Sequence, residues 1–96
     1  MKHIKLKHYS DAAHGWISVK RDLLISLGIE SEVSNYSYQS KTGGTVYLEE
    51  DRDLRLLLEA MPEIDVNRDL KYFCHGDKSY IRNLPSFRPI TGSVSK

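Results

Sequence analysis

Ninety-six residues suffice for one domain with one modest core, so a single domain is expected. Apolar residues at 40% and charged residues at 28% exclude wholesale disorder, and the lone cysteine, Cys74, excludes an internal disulfide. The formal charge of +1 hides a segregation. Residues 1–21 set Lys2, Lys5, Lys7, Lys20 and Arg21 against Asp11 for a net +4, residues 22–66 carry −7, and residues 67–96 carry +4. If the two basic ends meet in space, the molecule has one cationic and one anionic face; otherwise the charges are a solvated surface.

The opening MKHIKLKHYSD has no continuous apolar stretch of the kind a signal peptide needs. No segment approaches the roughly 18 apolar residues of a membrane span. A cytoplasmic location without membrane contact is therefore expected.

In chain order, Lys2–Tyr9 alternates Ile4 and Leu6 with Lys5 and Lys7 and predicts a strand. After turn formers at Ser10–Gly15, Trp16–Val19 is a second short apolar run. Val19, Leu23, Leu24 and Leu27 then form one helical stripe, with Ser18 as the expected N-cap and Gly28 at the left-handed C′ position. Val33–Gln39 and Thr45–Glu49 predict two strands joined around Gly43-Gly44.

A second helix is expected over Asp51–Met61, because Leu54, Leu57, Leu58 and Met61 recur at helical spacing and Pro62 ends it. The acids Glu49, Glu50, Asp51 and Asp53 crowd its start, where the helix dipole favours them. Asp69–His75 alternates as a strand, Gly76-Asp77 turns the chain, and Ser79–Leu84 is expected as the last strand. The order β-β-α-β-β-α-β-β predicts an α+β domain over residues 1–88. It would hold an antiparallel sheet of about four to six strands with two helices on one face, followed by a flexible tail at 89–96.

Motifs for chemistry are sparse. Ser10, Asp11 and His14 lie close in sequence, but adjacency does not supply triad geometry, and no G-x-S-x-G elbow is present. No enzyme is expected. His3, His8, His14, His75 and Cys74 lack the tight pair spacing of metal ligands, so neither a metal nor a cofactor is expected.

Two clusters remain. His14, Trp16, Tyr36, Tyr38 and Tyr47 are candidates for a partner-binding aromatic patch, unless they simply finish the core. Lys5, Lys7, Lys71, Arg82 and Arg88 are candidates for a basic patch that takes phosphate or nucleic acid.

With Tyr9-Ser10-Asp11, His14-Gly15-Trp16, Leu24 to Gly28-Ile29, Tyr36-Ser37-Tyr38, Tyr47-Leu48-Glu49-Glu50-Asp51 and Ile81-Arg82, the chain resembles a family of small bacteriophage and prophage proteins. It departs from that pattern at Ala13, where glycine is usual, and at Lys20, where proline is usual. Together with the small size, the lack of a catalytic motif and the segregated charge, the resemblance leads to the expectation of an accessory protein that binds a host protein and inhibits or redirects it, as an anti-CRISPR does; a monomer or small homo-oligomer is expected. The alternative is a nucleic-acid or nucleotide-signal binding protein that uses the basic ends and the aromatic patch. Ile17-Ser18-Val19-Lys20 and Leu27-Gly28-Ile29 are also partly similar to swapped-hairpin DNA-binding regulators.

Overall fold

Period-two alternation governs the centre of the chain in the computed structural model, which describes residues 5–90. Strand β1 (Leu6–Ser10) pairs antiparallel with β2 (Gly15–Lys20). Strand β3 (Tyr38–Gln39) pairs antiparallel with β4 (Thr45–Glu49), which in turn pairs antiparallel with β2. Strand β5 (Leu70–Cys74) lies parallel to β1, so the five-stranded sheet is mixed, in the order β3-β4-β2-β1-β5. The class is α+β, as the sequence predicts. The parallel pairing arises because the chain crosses back over the sheet before entering β5.

Registers put Leu6 beside Leu70, Ile17 beside Leu48 and Val19 beside Val46 on one face. Helix α1 (Arg21–Ser26) and helix α2 (Leu54–Ala60) contribute Leu24, Leu54 and Leu57 to the core on that face. Leu23, Leu27, Leu58 and Met61 are only partly buried and pack around it. Helix α1 ends in a Schellman motif: Ile29 N–H reaches the Leu24 carbonyl, Gly28 N–H reaches that of Ile25, and Gly28 has φ +76°.

Several boundaries differ from the sequence reading, each because a side chain or ladder claims the backbone first. Ser18 is not an N-cap but lies mid-strand between Lys7 and Tyr47, and α1 begins three residues later at Arg21. The expected strand at Val33–Gln39 shrinks to Tyr38–Gln39. The buried Asp53 carboxylate accepts from Ser34 N, Ser34 Oγ and Ser37 Oγ and so holds the preceding residues in turns. Helix α2 starts at Leu54 rather than Asp51, because Arg52 and Asp53 N–H both bond the Glu49 carbonyl in a turn.

Ser79–Leu84 is not a strand. Ser79 Oγ accepts from Ile81 N and caps a 3-10 turn at Tyr80–Asn83. The part of the predicted tail at residues 89 and 90 is tied down, since Ile90 N donates to Glu30 at 2.8 Å; residues 91–96 lie outside the described residues. Strand β2 is paired on both sides within the chain, so the likeness to swapped-hairpin regulators does not extend to topology.

Arg21 joins these pieces. Its Nε donates to the Gly43 carbonyl, Nη2 to Gln39, and Nη1 to the Arg88 carbonyl and to the buried Glu30 carboxylate, while the guanidinium lies over Phe87. With Leu57 completely buried at the centre of α2, Leu57→Ala should lower the stability measured by urea unfolding by about 2–5 kcal/mol. A loss below about 1 kcal/mol would show that α2 does not clamp the sheet.

Candidate functional site

Because side chains alternate along a strand, every residue between the core positions points away from the helices. That second face carries Lys7, Tyr9, Trp16, Ser18, Lys20, Thr45, Tyr47, Glu49, Lys71 and Phe73, with Tyr38 at its edge. No helix covers it. Among the described residues the returning C-terminal segment does, chiefly at one end: Ser86 bridges to Tyr38, and the 3-10 turn sets Tyr80 against His75, with ring centroids 5.3 Å apart, and beside Tyr47.

At the uncovered end lies a cavity of about 510 Å³. Lys5, Lys7 and Lys20 line it together with the hydroxyl-bearing Tyr9, Ser18, Thr45 and Tyr47 and the apolar Leu6, Val19 and Leu23, the last from α1, and no carboxylate does. Among the described residues, no Asp or Glu lies within ion-pair distance of these lysines. Lys5 Nζ instead donates to the Arg68 carbonyl at 2.8 Å. Lys71 sits beside Lys7 in register, with its ammonium 5.7 Å from the Phe73 ring. Phe73 stacks on Tyr9 at 5.4 Å, and Tyr9 lies 6.2 Å from Tyr47. Burial, with Tyr80 beside it, pushes the Tyr47 hydroxyl up to about 12, and burial likewise raises Tyr9. Both phenols therefore stay protonated donors at neutral pH.

At the covered end, Asp11 organises the β1–β2 turn. Its Oδ1 accepts from Ala13 N and His14 N, and its Oδ2 accepts from Ser79 N and from Arg82 Nε. The Arg82 guanidinium bonds hold the Asp11 carboxyl far below the usual carboxylate range despite its burial. The positioned loop presents His14 to a cleft of about 110 Å³ shared with Trp16, Tyr36, Tyr38 and Glu49. His14 Nδ1 is 3.2 Å from Glu49 Oε2. Gly15 is needed here for a close approach: a Cβ would collide with the Glu50 carboxylate and come within 3.0 Å of His8 Nε2.

Four of the five aromatic-patch candidates thus meet in one cleft: His14, Trp16, Tyr36 and Tyr38. Their exposures differ. Trp16 is only 1% exposed and belongs to the packed interior, whereas Tyr36 is 56% exposed with the Arg52 guanidinium 3.9 Å above its ring. Tyr47 belongs to the other cavity. Of the basic candidates, Lys5, Lys7 and Lys71 share the open face, as the idea of meeting basic ends requires. Arg82 does not join them, being committed to Asp11, and Arg88 lies on the exposed C-terminal segment beside Gln39.

Sequence reasoning missed Lys20, Ser18 and Thr45. The alternation of Trp16, Ser18 and Lys20 marks them, but the helical stripe beginning at Val19 obscured it.

Replacing Asp11 by Asn keeps the shape and removes the charge that Arg82 bonds. Thermal melting of Asp11→Asn at pH 7 should fall by several degrees relative to wild type. A lowered carboxylate pKa stabilises the fold fully above the ordinary value of 3.8 and progressively less as pH falls below it, so the gap should narrow there. A gap independent of pH would exclude the ion pair as its cause.

Comparison with protein-family models, with curated proteins and with solved structures gave no match.

Proposed function

We propose that the chain is a binding protein whose ligand is a nucleotide or a single-stranded nucleic acid, held on the open face of the sheet. The observation that carries this reading is a cavity where Lys5, Lys7, Lys20 and four hydroxyls surround the apolar Leu6, Val19 and Leu23 without a carboxylate. Ammonium groups without a carboxylate beside them attract phosphate, and hydroxyl donors complete its hydrogen bonds. Tyr9, Tyr47 and Phe73, each half-buried, supply ring surface on which a base stacks without regard to its identity. A sheet that packs helices on one face and shows aromatics and lysines on the other combines those two contacts on a rigid support. A cavity of about 510 Å³ has room for one nucleotide unit.

The chemistry fixes the expected response to salt. Each phosphate neutralised on a single strand contributes a slope of roughly −0.7 to log K against log salt. Three lysines therefore predict a slope near −2, measured by fluorescence polarisation of a labelled oligonucleotide. Lys7→Gln should weaken binding and make the slope shallower by about 0.7, while Arg55→Gln on the helix side should leave both unchanged. Absence of binding to oligonucleotides and to mononucleotides at low salt would reject the reading.

A second reading, in which the chain blocks a host protein as the bacteriophage resemblance implies, has one observation in its favour. Exposed Tyr36, with Arg52 over its ring, borders the His14 cleft as an aromatic–arginine pair of the kind that anchors protein contacts. A photo-crosslinker at position 36 that captures one host protein, with capture lost in Arg52→Ala, would support it. Capture unaffected by Arg52→Ala would count against it.

A further inference from the structure

We propose that His14, Glu49 and Asp51 form a binding site for a divalent transition-metal ion, at the end of the sheet face opposite the lysine cavity. The three side chains offer one imidazole nitrogen and two carboxylate oxygens, and these donor atoms all lie within 4.8 Å of one another. Bonds of about 2.0–2.2 Å from an ion to nitrogen and oxygen place donors up to about 4.4 Å apart, so a small inward movement closes the set. A mixed nitrogen and oxygen set suits zinc, manganese, iron or cobalt rather than calcium or magnesium.

The fold holds these donors in place. Register sets Glu49 opposite Trp16, two residues after His14. The Asp11 carboxylate fixes the His14 backbone. Glu49 Oε1 accepts from Asp51 N at 2.9 Å, which leaves Oε2 facing His14 Nδ1. The Glu49 side chain is only 10% exposed and has the Asp51 carboxylate as a neighbour, an arrangement a cation would relieve.

A separate observation points to a ligand in the same cleft. Trp16 lines it, is 1% exposed, and its buried indole N–H has no hydrogen-bond partner among the described residues. With three protein donors the ion keeps open positions toward the cleft. Sequence spacing does not reveal the site, because His14 lies 35 residues from Glu49.

Trp16 is the sole tryptophan, and its ring centre lies 6.0 Å from that of His14, so its fluorescence reports on the site. Tag-free protein titrated with cobalt(II) should show quenching that saturates at one equivalent, is displaced by zinc(II) and is reversed by a chelator. His14→Ala and Asp51→Asn, both at exposed positions, should each weaken binding at least tenfold with unchanged circular dichroism. His3→Ala and His75→Ala should bind as wild type does. No saturable quenching up to millimolar metal would overturn the proposal, as would equal affinity in His14→Ala and wild type. Loss of binding in His3→Ala would assign the metal to the N-terminus and overturn it as well.

Discussion

The buried guanidinium of Arg21 ties the loop after α1, the β3–β4 turn and the returning C-terminal segment to one point. It contacts the carboxylate of Glu30 after α1, the carbonyl of Gly43 in the β3–β4 turn, Gln39 in β3, and the carbonyl of Arg88 in the returning segment. Glu30 in turn accepts from Ile90 N. The geometry suits arginine and not lysine, since a planar fork reaches several acceptors at once while an ammonium group does not. Removing one member would leave an uncompensated buried charge, which typically costs about 3–5 kcal/mol. This is a large share of what a domain of this size has to lose.

The consequence for function lies in what Arg21 anchors. By fixing residues 85–88 against β3, it brings the C-terminal segment across one end of the open sheet face and leaves the other end clear. The Asp11–Arg82 pair does the same from the β1 side. Two ion pairs therefore divide a single face. One end is a shaded cleft lined by a histidine and one carboxylate, and the other is a cavity bordered by lysines. The opposite signs of the two ends are the charge segregation of the sequence translated into space. The basic strand β1 and the basic β5 lie side by side, and the acidic run at Glu49–Asp53 leaves the sheet at the far end.

Much of this was legible in the residues, for physical reasons that differ from element to element. The core positions of α2 and the glycine end of α1 were readable because local spacing and a left-handed backbone leave a sequence mark. The strand at 69–75 and its nearness to β1 followed from alternation and charge. What escaped were places where side-chain bonds over long distances override local preference. Asp53 drew Ser34 and Ser37 out of the strand they resembled, and Asp11, 68 residues before Ser79, turned the last expected strand into a 3-10 turn. The His14–Glu49–Asp51 group escaped for the same reason. Its acids looked like helix-dipole partners of α2, and only the pairing of β2 with β4 brings them to the histidine.

In the proposed function the helices occupy one face of the sheet and the other holds an anionic ligand. Amide and aromatic NMR shifts followed during titration with a short oligonucleotide test it most directly. The account predicts changes concentrated at Lys7, Tyr9, Ser18, Lys20, Thr45 and Tyr47, on three adjacent strands around one cavity. Changes confined to α1, α2 or the Tyr36 edge, with these six residues unmoved, would contradict it.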